Sequence, residues 1–395
     1  MTISKANWSY PTKVWFGPGR IADLPAACRE TGMKRPLLVT DPGLSALPMI
    51  AATARLLRDA GIAVEVFDKV QGNPTSVNLD GALAAYRARG HDGVIAFGGG
   101  SALDVGKTTA FMAGQSRPVW DFEDIGDNWR RASGAIAPII AVATTSGTGS
   151  EVGRATVITN AETHVKKIIF HPAMMPAIAI ADPELTVGLP PSLTAATGMD
   201  ALSHALEAYC APGYHPMADA IAIEGVRLVR DWLARAVRDG TDIEARGHMM
   251  SAAAMGATAF QKGLGAVHAV SHPIGALYNT HHGRTNAAAM PYVLAFNAPV
   301  IGEKMQRLAN HLSLGARGQG EQAAVAAVRD WIIELRGEIG MPSTIAELGV
   351  EPGRFEEIAA LAVVDPTAGS NPVPLTEKNV LALLGHMYEG TLPHA

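Results

Sequence analysis

Gly93-Val-Ile-Ala-Phe97, followed at once by Gly98-Gly99-Gly100-Ser101-Ala102-Leu103-Asp104-Val105-Gly106-Lys107-Thr108, is the stretch that decides the fold. Its first half is a short apolar β run of the kind buried inside a parallel sheet. Its second half reads as a helix from about Ala102. Three glycines at the junction let backbone approach a phosphate closely. The helix start adds free N–H groups and the positive end of the helix dipole. The run is not a G-x-G-x-x-G fingerprint, because Leu103 stands at the last glycine position. Nor is it a P-loop, since five residues rather than four separate Gly100 from Gly106. A tight strand-to-helix turn without a ligand is the plain alternative.

The same rhythm extends on both sides. Pro36–Thr40, Ala63–Phe67 and Pro138–Ala143 read as strands, and 46–60 and 79–89 as helices. This is the βαβ alternation of a doubly wound parallel sheet. A second Ser/Thr/Gly loop, Thr144-Thr145-Ser146-Gly147-Thr148-Gly149-Ser150-Glu151, also follows a strand. Such clusters are often plain loops, but two at two strand ends together favour a nucleotide. Asp41 ends the first clear strand, where a carboxylate can accept from a ribose diol and repel a 2′-phosphate. On spacing alone, the favoured reading is a turn-forming Asp before Pro42-Gly43.

Beyond Leu189-Pro190-Pro191 the character changes. Ala-, Leu- and Met-rich helices are expected over 192–211, 216–237, 243–262, 265–279, 299–313, 320–339, 353–363 and 376–388, with Ser192 as the first N-cap. The expected organisation is therefore an α/β dinucleotide-binding domain over 1–190 and an all-α domain over 191–395, with an active site in the cleft between them.

Composition narrows the class. The 395 residues are 48% hydrophobic and 17% charged, enough for two full cores. A net charge of −5 implies no basic surface for nucleic acid. Two cysteines, Cys28 and Cys210, exclude a disulfide framework and fit a reducing cytoplasm. The N-terminus shows no secretory h-region, and no apolar run reaches membrane-spanning length.

The chemistry is carried by Asp200, His204, His268 and His282. Asp200 and His204 stand four apart on an expected helix, so both side chains reach one ion. His268 and His272 repeat the spacing. Pro273 and Gly275 are expected to disturb that second helix, and His282 to follow in the turn-like His281-His282-Gly283-Arg284-Thr285-Asn286. Any one of the 13 histidines is more readily structural. Two such pairs are not readily a coincidence. One carboxylate and three imidazoles suit Fe(II), Zn or Mn.

At these residues the chain resembles the iron-containing (group III) alcohol dehydrogenases, which are similar in fold to glycerol dehydrogenase and dehydroquinate synthase. The resemblance runs nearly end to end: Phe16-Gly17-Pro18-Gly19, Asp41, Gly72-Asn73-Pro74-Thr75, GGGSALDVGK, TTSGTGSE, Ile180–Leu185, GMDALSHALEAY and HAVSHPIGALYNTHHG. It implies a divalent metal, Fe2+ with Zn2+ as the second choice, held by Asp200, His204, His268 and His282. The ligand directly precedes the glycine, which selects His282 over His281. It also implies NAD, with NADP less expected, bound by Asp41, Asn73, Gly98, Gly99, Gly100, Ser101, Asp104, Thr144, Thr145, Thr148 and either Lys166 or Lys167. His272 becomes the candidate proton-relay group. The implied substrate is a small alcohol or aldehyde, and the implied assembly a homodimer or larger. Many relatives carry Asn-Pro-Arg where this chain has Asn371-Pro372-Val373, expected to border substrate access, which leaves the substrate open. The complete ligand set argues against the metal-free maleylacetate reductase branch.

The mechanism implied is Lewis-acid activation of an alcohol or aldehyde with hydride exchange at nicotinamide C4. The rival readings are a metal-dependent lyase or hydrolase without net redox, a phosphotransferase, and a metal-binding structural protein.

Overall fold

A computed structural model describes residues 10, 12–163, 165–315, 318 and 320–393. They form two compact units, Tyr10–Gly188 and Leu189–Ala395.

The first unit contains β1 (Lys13–Phe16), α1 (Leu24–Glu30), β2 (Leu37–Val39), α2 (Pro42–Ser45), α3 (Pro48–Asp59), β3 (Glu65–Phe67), α4 (Ser76–Ala88), β4 (Val94–Gly98), α5 (Gly100–Met112), β5 (Ile139–Ala143), β6 (Ala155–Thr159), β7 (Lys166–Phe170) and β8 (Ile178–Ala181). Six strands make one sheet in the order β1-β8-β5-β4-β2-β3, every pair parallel. Leu38, Ile95, Phe97, Ile140 and Val142 turn one way, onto Leu24, Cys28, Ala54 and Leu57 of α1 and α3. Leu37, Val39, Val94 and Ile139 turn the other way, onto Ala82 of α4 and Val105 and Ala110 of α5. Burial on both faces is why these strands are unbroken apolar runs. The strand order reverses between β2 and β4. Their carboxyl ends, at Asp41 and Gly98, therefore flank the point where doubly wound sheets bind ligands.

The second unit is helical: α6 (Pro191–Cys210), α7 (Pro216–Arg238), α8 (Ile243–Ala259), α9 (Ala266–Tyr278), α10 (His282–His311), α11 (Glu321–Glu338), α12 (Phe355–Val363) and α13 (Glu377–Glu389). Nearly every residue of α6 from Thr194 to Cys210 is buried, so α6 is the hub of this unit. Its neighbours come very close. A Cβ at Gly283 of α10 would meet the Ala196 carbonyl oxygen at 2.0 Å.

Several local expectations are corrected. Ser192 lies inside α6, because Pro190 is the N-cap and Pro191 opens the first turn, where its missing N–H costs nothing. The helix expected over 46–60 is α3, which starts only at Pro48 with Leu47 as its N-cap; the separate short α2 before it was not expected. Pro273 does not break α9, which runs to Tyr278 and stops at Asn279 in the left-handed region (φ 53°). The helix expected over 299–313 begins at His282 and carries Pro291 and Pro299 inside it. Each proline removes one backbone hydrogen bond. The tightly buried face of α10, from Asn286 to Leu294, outweighs that loss. Strands β1 and β8 and the antiparallel pair β6–β7 were not expected; each is short or flanked by polar residues.

Candidate metal centre and nucleotide loops

In the helical unit, α6 presents Asp200 and His204 on one face, α9 brings His268, and α10 brings His282 as its first residue. His282 is thus at a helix start rather than in a turn, with His281 as the N-cap. The ligand atoms of Asp200, His204 and His268 lie within 4.8 Å of one another. Asp200 Oδ1 stands 3.7 Å from His204 Nε2, 3.8 Å from His268 Nε2 and 3.5 Å from His282 Nε2. A tetrahedral ion with ligand arms near 2.1 Å has edges of about 3.4 Å. The three distances are close to that and too long for hydrogen bonds.

The surroundings fit a cation. His268 Nε2 is buried with no hydrogen-bond partner. Burial, helped by the charge of His204, holds the His268 imidazole well below its usual range, in the neutral form a metal needs. Its Nδ1 is bonded to Glu207 Oε2, and the Val267 N–H donates to Glu207 Oε1 at 2.7 Å. Burial pushes the Glu207 carboxyl up to about 8, against those hydrogen bonds. Asn286 Nδ2 donates to Asp200 Oδ1 at 2.8 Å. Cys210 ends the same helix, but burial pushes its thiol up to about 12, so it offers no thiolate.

His272 lies one turn beyond His268, with its ring stacked on that of His282 at 5.5 Å. Its Nδ1 bonds Asp365 Oδ2 at 2.8 Å. Asp365 Oδ1 accepts from the Thr367 N–H and hydroxyl at 2.9 and 2.6 Å. Burial would raise the Asp365 carboxyl, but the bonds from His272 and Thr367 outweigh it and hold it low. Glu207, Asn286 and Asp365 are functional neighbours that sequence reasoning missed. Glu207 had a signal, since it follows His204 by three on the same helix face. Asp365, 93 residues from His272, had none.

Asn371 does not stand at an open mouth. It is buried, accepts from the Ala266 N–H at 3.0 Å, and is paired with Asn297. With Pro372 and Glu207 it lines a cavity of ≈ 20 Å³, room for about one water.

In the sheet unit, Gly98 adopts φ +148°, which a side chain would strain. Gly99 caps α5 without any side-chain hydrogen bond, so the first-turn N–H groups have no capping acceptor. A Cβ at Gly100 would lie 2.6 Å from Thr148 Cγ2, and one at Gly99 3.2 Å from Thr145 Cγ2. The two loops therefore interlock. The Thr144 N–H donates to the Gly98 carbonyl at 3.1 Å, and Ser101 sits in the first turn of α5. Asp104 faces inward: it accepts from Ser150 Oγ at 2.6 Å and the Val157 N–H at 2.8 Å. Asp41 accepts from the Leu44 N–H at 3.0 Å and so caps α2. Its Oδ2 would lie 3.6 Å from a Cβ on Gly98, beside the point where the strand order reverses. Of the two lysines, Lys166 donates to Asn73 Oδ1 at 2.9 Å, and burial lowers its ammonium to about 8. Lys167 is paired with Glu123.

The chain is similar to known proteins along nearly its whole length. Residues 11–183 match the family model "Iron-containing alcohol dehydrogenase", and residues 194–388 match "Fe-containing alcohol dehydrogenase family, C-terminal". A 4-hydroxybutyrate dehydrogenase of Cupriavidus necator is 42% identical over 92% of this chain and 94% of its own. A 1,3-propanediol dehydrogenase of Klebsiella pneumoniae is 36% identical over 97% and 99%. Among solved structures, a 1,3-propanediol oxidoreductase superposes with a TM-score of 0.93 at 36% identity, covering 97% of this chain and 100% of that one. The chain belongs to the iron-containing alcohol dehydrogenase family. It is an alcohol oxidoreductase, and the reading as a lyase or hydrolase is not favoured.

Proposed function

We propose that this protein interconverts small primary alcohols and aldehydes using NAD and a divalent metal of the iron class. The observation that carries the metal is the set of 3.5–3.8 Å spacings from Asp200 Oδ1 to three imidazole Nε2 atoms, with one of those nitrogens buried and unpartnered. Asp200, His204, His268 and His282 would hold the ion, with Fe2+ preferred and Zn2+ compatible with the same donors. When bound, such an ion supplies Lewis acidity toward a hydroxyl or carbonyl oxygen.

The chain's own groups do the rest. The uncapped start of α5 would bind the pyrophosphate through Gly99, Gly100 and Ser101, with Thr144, Thr145 and Thr148 beside it. Lys166 and Asn73 would meet the cofactor further along. Asp104 supports these loops from behind. Asp41 at the end of β2 favours a ribose diol over a 2′-phosphate, and hence NAD over NADP. His272, its Nδ1 proton held by Asp365, would take the hydroxyl proton at Nε2 during oxidation and return it during reduction.

For the substrate, the relatives named for 4-hydroxybutyrate and 1,3-propanediol share a primary alcohol with a polar group at the far end of a short chain. We extend that class to this protein.

We also place it in the cytoplasm as a homodimer or larger. Both cysteines are free and buried, and among the described residues no helix is long and apolar enough to cross a membrane. Edge strand β1 exposes Val14 (39%) and Phe16 (49%), a surface suited to a second copy. Light scattering tests the assembly.

The deciding experiment is NAD- and NADP-linked turnover of iron-loaded protein on a panel of primary alcohols, diols, ω-hydroxy acids and their aldehydes. Turnover with NAD on part of the panel is expected. Absence of hydride transfer with either cofactor across the panel overturns the reading.

A further inference from the structure

We propose that Lys107 is a positioning residue for the cofactor: its buried ammonium fastens the glycine loop, the Thr144–Glu151 loop and the β6–β7 hairpin into one rigid seat. The inference rests on the nicotinamide reading above.

Lys107 is fully buried. A charge taken out of water persists only when its donors are satisfied. Here all three are used. Nζ donates to the Ser150 carbonyl at 2.9 Å, to Ser150 Oγ at 3.0 Å and to the Ala155 carbonyl at 2.8 Å. None of the three acceptors belongs to α5. Two are on the second loop and one is on β6. Asp104, one turn earlier, repeats the pattern through Ser150 Oγ and the Val157 N–H. Thr108 adds a hydroxyl contact to Thr156 at 2.7 Å. One face of α5 is thus stitched along residues 150–157. That segment continues into β6, and β6 pairs with β7, where Thr159 faces Lys166.

The Thr144–Glu151 loop and the hairpin that carries Lys166, both assigned to the cofactor, are tied to α5 by that stitching. The glycine loop meets the second loop where a Cβ at Gly100 would fall 2.6 Å from Thr148 Cγ2. The Lys166–Asn73 contact is carried by the hairpin. An apolar swap of the whole charged set could leave the fold intact, whereas loss of Lys107 alone leaves Asp104 and Glu151 buried without their cation. A helix bearing a phosphate-binding terminus needs a fixed distance to the neighbouring loop, and directional bonds from a charge set that distance. Buried Glu151 and Asp104 are the anions facing Lys107.

The test is cofactor binding, read separately from alcohol binding and metal content. Lys107→Met removes the charge and keeps an unbranched side chain one atom shorter. Ser150→Ala removes one hydroxyl that serves both Lys107 and Asp104, and it is the milder variant if the first does not fold. Ser150→Thr restores the hydroxyl. Lys107→Met is expected to raise the Kd for NADH, followed by nicotinamide fluorescence, about tenfold or more, and Ser150→Ala severalfold. Ser150→Thr should return most of the loss, with the alcohol KM and metal content unchanged throughout. If folded Lys107→Met and Ser150→Ala bind NADH like the wild type, the inference is wrong. An equal rise in the alcohol KM, or no rescue by threonine, also overturns it. If the wild type itself does not bind NADH, the nicotinamide reading fails instead.

Discussion

The histidine cluster of the helical unit and the loops of the sheet unit are both built from buried polar groups, yet they treat them oppositely. In the loops the charged side chains are satisfied within the chain: Lys107 uses three acceptors and Asp104 takes two donors. In the cluster, His268 Nε2 is left without a partner, although Asp200 Oδ1 lies only 3.8 Å away. Leaving a buried polar atom unpaired costs roughly 1–3 kcal/mol. Three buried polar atoms at the cluster lack a partner, His204 Nδ1, His268 Nε2 and Asn286 Oδ1, and of these His268 Nε2 faces Asp200 Oδ1 across a gap that an ion would fill. The cluster is shaped for an ion. The loops are shaped to hold each other, and the first-turn N–H groups of α5 are left without a side-chain cap.

The sharpest way to break this contrast is His268→Ala. It should abolish tight metal binding and lower turnover on the order of 10³-fold or more, since Lewis-acid stabilisation contributes several kcal/mol. NADH binding by the sheet unit should persist. Metal analysis beside the rate measurement decides it, and a variant with full metal and full activity would remove His268 from the ligand set.

Asp365→Asn should be next, with turnover down about 10- to 100-fold at unchanged metal content, the usual range for a residue that orients a histidine. If His272 takes no proton, Asp365→Asn and His272→Ala will both turn over normally at full metal occupancy.

On the loop side, Gly100→Ala forces a Cβ to 2.6 Å from Thr148. Overpacking of this kind costs about 1–3 kcal/mol. It should appear as weaker NADH binding with metal content untouched; a normal NADH Kd would show that the two loops do not share one seat.

The smallest effect is expected from Asp41→Asn. It keeps an acceptor for the Leu44 N–H and removes the charge, and should shift the NADP-to-NAD ratio of kcat/KM by about tenfold. A wild type that already prefers NADP would refute the role of Asp41.

The parts legible in the sequence share one property: their signal is local. Strands β4 and β5 are unbroken apolar runs because the sheet is covered on both sides, and the glycine run sits at the strand end where the structure places it. Asp200 with His204, and His268 with His272, are visible because residues four apart share one face of a helix. What stayed hidden is set by tertiary packing. The prolines at 291 and 299 argue for a helix end, and only the buried face of α10 overrules them. Ser192 looks like a cap until Pro190 and Pro191 set the start of α6. Asp365 reaches the cluster through folding alone, 93 residues from His272, whereas Asn286, four residues after His282, stayed hidden because the start of α10 reads as a turn.

The contact between Gly283 and the Ala196 carbonyl has a practical consequence for anyone redesigning this protein. One position before it, His282 leaves α10; four positions after Ala196, Asp200 leaves α6. A methyl group at 283 would pry the two helices apart and widen the cage. Libraries aimed at new substrates should therefore hold 283 constant and diversify elsewhere. A deep mutational scan should show that seam as a narrow band of intolerance, even though neither residue carries any chemistry of its own.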